Sequence, residues 1–152
     1  MAAVRAVVQR VREASVSVDG VEIARIGPGI VVYLGVGGGD GEADVGYLAE
    51  KGAHLRIFED DRSNMGRSVV DVGGDALVLS QFTLYGDCRR GRRPSFDGAM
   101  APAAAEQVYE HFLAALAAQG VPVRAGRFRA MMDVASVNTG PVTILLDSGK
   151  LF

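Results

Sequence analysis

The 152-residue chain has no tryptophan, one cysteine and two histidines. A lone cysteine, Cys88, cannot close an internal disulfide, so packing has to hold the fold. His54 and His111 both fall in segments with a helical pattern, and neither has metal-ligand spacing with the other or with Cys88. No metal and no cofactor is expected. No apolar run approaches the ~20 residues of a membrane span, so no membrane association is expected. The stretch MAAVRAVVQRVRE is charged throughout and does not read as a signal peptide. Together with the single cysteine this predicts a cytoplasmic protein. The net charge of −2 excludes a surface that is basic all round. Neither G-x-x-x-x-G-K-[ST] nor G-x-S-x-G occurs. The glycine-rich LGVGGGDGEAD puts Asp40 where a G-x-G-x-x-G beginning at Gly35 requires glycine, so it reads as a strand-to-helix turn.

What is present suits one domain spanning residues 1–152, long enough to bury about 70% of the surface an unfolded chain exposes. VRAVVQRV and ASVSVDGVEIARI alternate as strands, with Asp19-Gly20 as a hairpin signal. GIVVYLGVG reads as a central strand. Glu42 to Leu55 spaces Val45, Leu48, Ala49 and Leu55 as a helix. LRIFED and DALVLSQFTLY read as strands. A second helix starts near Pro102, faces the core with Val108, Phe112, Leu113 and Leu116, and ends at Gly120 and Pro122. VPVRAGRF, MDVASVN and PVTILLD are three further strand candidates. Two helices cannot cover both faces of so many strands. The expected class is α+β, a three-layer sandwich of two β-sheets with the helices packed on one side.

Three stretches carry candidate chemistry. CRRGRR places Arg89, Arg90, Arg92 and Arg93 within five residues, either as a solvated loop or as a phosphate-contacting one. SQFTLY puts Ser80, Gln81 and Thr83 at the end of an apolar strand, where binding sites often open and where hydroxyls also simply cap turns. VNTGPVTILLD reads as a core strand on Val142, Ile144 and Leu146, yet Gly140 and Pro141 interrupt it. Proline cannot donate to a ladder and glycine weakens a strand, so the pair marks either a simple bulge or edge, or a place where backbone approaches a ligand.

SQFTLYGDCRRGRRPSF followed by VNTGPVTILLDS resembles the D-aminoacyl-tRNA deacylases, and the resemblance runs from RAVVQRV to LLDS. It implies hydrolysis of the ester joining a D-amino acid to the 3′ end of tRNA, and removal of glycine from wrongly charged tRNA. It also implies a homodimer. The family's Ser-Gln-Phe-Thr stretch falls on Ser80, Gln81, Phe82 and Thr83, and its Gly-cisPro pair on Gly140 and Pro141. The arginine that holds that pair corresponds to Arg10, and the residues against the terminal adenine correspond to Phe128 and Met132. The chain departs from the family pattern at Arg129, Met131, Thr139, Met65-Gly66 and Cys88.

In the family, the Gly-Pro pair of one subunit enters the pocket of the other, where its carbonyl oxygens reject an L-side chain. Catalysis is attributed mainly to the substrate's 2′-OH, with backbone amides around Phe82 and Thr83 as candidate donors to the developing oxyanion. Thr83 as a covalent nucleophile is the rival view, and no base is evidently placed to activate it. Two other readings are an RNA-binding module without chemistry and a deacylase with a relaxed filter. The intact SQFT and Gly-Pro pair favour the strict enzyme.

Overall fold

Asp19 and Gly20 set the first corner. Both have positive φ, 51° and 78°, as a two-residue type I′ hairpin requires. They join β1 (Val4–Val18) to β2 (Val21–Ile26). The structure is a computed structural model describing residues 4–39 and 41–152; Asp40, singled out in the glycine-rich turn, lies outside the described residues.

β1 organises the strands. Its first half pairs antiparallel with β3 (Gly29–Val36), from Val4 opposite Val36 to Val11 opposite Gly29. Its second half, Ala14 to Val18, pairs with β2. Along its other edge runs β6 (Asp133–Asp147), also antiparallel. β3 continues in parallel into β4 (Asp75–Ser80) and then β5 (Val123–Ala125). The parallel steps need long crossovers. α1 (Glu42–His54) lies in the first and α2 (Pro102–Ala118) in the second.

The side-chain pattern of β1 explains the layering. Val4, Ala6 and Val8 pack with Ile30, Val32 and Leu34 against Leu48 of α1 and Phe112 and Leu116 of α2. Beyond the register irregularities between Gln9 and Glu13, the strand serves a second core. There Val11, Ala14 and Val16 pack with Ala24, Ile26, Val31, Leu77 and Leu79. β2 thus crosses over β4 and β5. The result is the expected α+β arrangement, with helices on one side and two sheet layers whose hydrogen bonding is continuous through β1. Phe112 is 1% exposed, and truncating such a side chain costs about 3–5 kcal/mol. α2 is further tied down by Tyr109, also buried, whose hydroxyl donates to the Val78 carbonyl at 2.8 Å. Among the described residues no helix is long and apolar enough to cross a membrane.

Three expectations are corrected. LRIFED is not a strand; only Phe58 forms a bridge, with Arg67. Side chains take over its backbone groups. Arg10 donates to the Ile57 carbonyl at 2.7 Å, and Arg67 Nε donates to the Glu59 carbonyl at 2.9 Å. DALVLSQFTLY leaves the sheet after Ser80, because Phe82–Tyr85 coil into a 3-10 turn. MDVASVN and PVTILLD are not two strands but one, β6, which continues past the Gly-Pro pair.

Candidate active site

β4 delivers Ser80 to the edge of its layer. The Gln81 amide still donates to the Leu34 carbonyl of β3 at 2.7 Å, the last tie to the sheet. The chain then turns: the Leu84 amide donates to the Gln81 carbonyl at 3.2 Å and the Gly86 amide to the Thr83 carbonyl at 3.0 Å. The first N–H groups of such a turn have no partner within it. Among the described residues the Phe82 and Thr83 amides donate to no protein acceptor. The Gln81 side-chain amide donates to Thr83 Oγ1 at 2.6 Å.

This turn forms one wall of a cavity of about 900 Å³. Phe82, exposed, meets Phe96 edge to face at 5.0 Å between ring centroids. Met100, Pro102 and Ala105 bring in the start of α2. Phe128 and Met132 complete the opposite side, Phe128 backed by Tyr109 at 5.8 Å. Tyr33 also lines the cavity, and burial raises the pKa of its phenol, so it stays a neutral hydroxyl. No imidazole, amine, thiol or carboxylate is among the lining residues; Arg129 is their only charged side chain. His54 instead contacts Gln119, and His111 pairs with Glu42.

The Gly-Pro pair lies elsewhere in the chain. The Gly140–Pro141 peptide is cis and both residues are exposed. No residue from Asn138 to Thr143 lines the cavity. Arg10 reaches the loop from β1: its Nε donates to the Thr139 carbonyl at 3.0 Å while its other donor holds Ile57. A Cβ added at Gly140, whose φ is +132°, would lie 2.9 Å from Val142 Cγ2 and 3.0 Å from the Arg10 guanidinium. Only glycine fits there without displacement.

The arginines occupy a hairpin-like loop between the turn and Phe96. It is closed by mutual backbone bonds of Asp87 and Ser95 at 2.7 and 2.9 Å. Arg90, Arg92 and Arg93 are exposed. Arg89 differs: it donates to both carboxylate oxygens of Asp87 at 2.9 and 2.7 Å, and this pairing lowers the Asp87 pKa to about 2. Among the described residues no cluster of three or more His, Cys, Asp or Glu side chains could hold a metal ion.

The family model for D-Tyr-tRNA(Tyr) deacylase matches residues 7–147. A D-aminoacyl-tRNA deacylase of Syntrophobacter fumaroxidans is 57% identical over 97% of this chain and 99% of its own length. One from Roseiflexus castenholzii is 60% identical over 95% of this chain and 92% of its own. The chain belongs to the D-aminoacyl-tRNA deacylase family, a family of hydrolases. Among solved structures, a c-Myc DNA unwinding element binding protein superposes with a TM-score of 0.87 at 40% identity, covering 93% of this chain and 97% of its own. A probable eukaryotic D-amino acid tRNA deacylase shares the fold, with a TM-score of 0.81 at 20% identity over 95% of this chain and 98% of its own.

Within this deacylase the cavity gathers Ser80, Gln81, Phe82, Thr83, Phe128 and Met132, while Gly140, Pro141 and Arg10 form a separate group on β1 and β6. Two departures from the family pattern, Arg129 and Met131, line the cavity. Met131 is 89% exposed and Arg129 has a positive φ of 65°. Thr139 in the Gly-Pro loop still offers its carbonyl to Arg10, a contact that does not depend on its side chain. Sequence reasoning missed Tyr33, Phe96 and Met100 as cavity wall. Phe96 and Met100 sit in loops with no periodicity to read, and Tyr33 lies in a run of apolar strand residues that reads as core.

Proposed function

We propose that this chain, as a single domain, hydrolyses the ester linking a D-amino acid to the 3′ end of tRNA, and also glycine mischarged on tRNA for alanine. The working form is a homodimer. The Gly140–Pro141 loop of one subunit enters the cavity of the other and rejects L-aminoacyl esters by collision with their side chains. The observation that carries this reading is the separation just described: the cavity is walled without the loop, and none of Asn138 to Thr143 lines it. β6 is a 15-residue strand paired on one side, to β1. It leaves Val134 and Leu145 at 36% and 55% exposure. A long edge with exposed apolar residues is an association hazard unless covered, which supports a second copy as its cover.

The chemistry follows from what the cavity lacks. A neutral hydroxyl is a poor nucleophile without a base, and Thr83 Oγ1 accepts a hydrogen bond from Gln81 rather than giving its proton to one. The ribose 2′-OH adjoins the ester already, and such proximity can remove much of a barrier. The protein positions the ester, with Phe128 and Met132 against the terminal adenine. The unpartnered Phe82 and Thr83 amides then meet the oxyanion as it forms. The exposed arginines beside the turn supply phosphate contacts along the tRNA. Ester hydrolysis assisted in this way draws on no cofactor or metal, so chelator-treated protein is expected to keep its rate. The direct test is a time course with purified protein on D-Tyr-tRNA, L-Tyr-tRNA and Gly-tRNA. Hydrolysis of the first and third with the second spared is expected; equal hydrolysis of D- and L-Tyr-tRNA would refute the filter.

A further inference from the structure

The Gly-Pro loop is a local mismatch between two strands. β1 and β6 are in register at Gln9 opposite Thr143 and at Val11 opposite Asn138. Between those rungs β1 has one residue, Arg10, and β6 has four, Thr139 to Val142. The four residues have to bow out of the ladder, and their backbone groups need other partners.

Arg10 meets one of them from across the strand pair, at the Thr139 carbonyl. Asn138 meets the other from the loop's own base. Its Oδ1 accepts from the Val142 amide at 2.8 Å, and its Nδ2 donates to Thr143 Oγ1 at 3.1 Å. The Val142 amide can only donate, so the orientation of the Asn138 amide is fixed by its partner. Thr143 Oγ1 accepts in addition from Gln9 Nε2 at 3.3 Å. Asn138 therefore joins the residue before the bow to the last residue of the bow and the first residue after it, and Gln9 anchors that junction to β1.

We propose that Asn138 is a positioning residue for stereochemical selection: it fixes the height and tilt at which Gly140 and Pro141 are presented, without touching substrate itself. The inference rests on the reading of this loop as the filter. Rejection of the wrong hand is a steric clash, which falls steeply with distance, whereas the accepted hand makes no clash to lose. Slack in the loop thus admits L-esters while changing the chemistry of D-esters far less.

The test is single-turnover hydrolysis of D-Tyr-tRNA and L-Tyr-tRNA by the wild type, Asn138→Ala, Asn138→Asp and Thr143→Val. A displacement on the order of 1 Å can change a rate by about 10²-fold, so Asn138→Ala should lower the D-to-L ratio by about that factor, mainly through a gain on the L-ester. Asn138→Asp keeps an acceptor for the Val142 amide and can accept from the Thr143 hydroxyl, so its ratio should stay within about threefold of the wild type. Thr143→Val removes one neutral hydrogen bond at an exposed position, for a drop of about fivefold, and keeps the question answerable should Asn138→Ala fail to fold. A wild-type ratio in Asn138→Ala, damage in Asn138→Asp equal to that in Asn138→Ala, or a parallel loss on both esters overturns the proposal. A wild type that treats the two esters alike refutes the filter itself, and this inference with it; a selective wild type beside an equally selective Asn138→Ala refutes the inference alone.

Discussion

The cavity walled by Ser80 to Thr83 and the loop carrying Gly140 and Pro141 hold their polar groups in opposite ways. In the cavity, among the described residues, the Phe82 and Thr83 amides are left without protein acceptors, and the one charged side chain is Arg129. At the loop, which is exposed, the Val142 amide and the Thr139 carbonyl are both bound by side chains from either side of the bow. A site that works by acid–base chemistry would keep titratable groups near the reacting bond. Under the proposed function, this one leaves donors free where charge would develop and fixes backbone where shape would be tested, so that selection depends on the protein more heavily than the chemical step does.

That comparison can be broken at the loop first. Gly140→Ala introduces a Cβ at a φ of +132° and within 3.0 Å of both Val142 and Arg10. Strain of about 1–3 kcal/mol is expected there, and the D-to-L ratio should fall by about 10²-fold. Unchanged selectivity in stopped hydrolysis assays would mean that the loop is not the filter. Arg10→Ala comes next. It leaves the Thr139 and Ile57 carbonyls without their donor, and the ratio should fall by about tenfold, a charged hydrogen bond being worth about 1.5–3 kcal/mol. Arg10→Lys should recover only part of this, because one ammonium lacks the fork that reaches both carbonyls.

A smaller effect, on binding alone, is expected from the arginine loop. Each phosphate contact steepens the dependence of log K on log salt by about 0.7–0.9. Replacing Arg90, Arg92 and Arg93 together with Ala should flatten the slope of tRNA binding by about 2, measured by filter binding over a salt series. Arg89→Ala alone should flatten it much less, since Asp87 already neutralises that charge. A low Asp87 pKa keeps the carboxylate charged: the pair holds above the ordinary carboxylate pKa and is lost only as pH falls through about 2, so this contrast should persist at any assay pH. Equal effects of all four arginines would show that Asp87 releases Arg89 to the tRNA. The smallest change is expected at Thr83. Thr83→Ala keeps its backbone amide, and the single-turnover rate on D-Tyr-tRNA should stay within about threefold of wild type, the effect of one neutral hydrogen bond. An inactive variant with an unaltered melting temperature would restore the hydroxyl as nucleophile.

Much of the fold was legible because period and position agreed. The Asp19-Gly20 turn, the helix opened by Pro102 and the apolar run of β3 each satisfy one local rule, and the tertiary structure keeps it. LRIFED misled because its apolar positions suit a strand while its carbonyls are bound by the side chains of Arg10 and Arg67, partners that periodicity does not register. MDVASVN and PVTILLD read as two strands because a Gly-Pro pair ordinarily ends one; here Arg10 and Asn138 hold the bow closed and let β6 resume. Ser80 to Thr83 could be singled out by resemblance, but Phe96 and Met100 could not, since a loop residue joins a cavity wall through the path of the whole chain. The resemblance likewise pointed to the cavity residues and to the Gly-Pro loop, yet nothing local in the sequence says that they lie apart within one chain.

The proposed mechanism has the protein arrange the ester while the substrate's own hydroxyl does the chemistry. It is tested most directly by single-turnover hydrolysis of D-Tyr-tRNA whose terminal residue is 2′-deoxyadenosine, with binding measured in parallel. The account predicts near-normal binding and a rate lower by about 10³-fold, within the range of a lost general acid–base group. Hydrolysis of the deoxy substrate at the normal rate would contradict it and return catalysis to the protein's side chains.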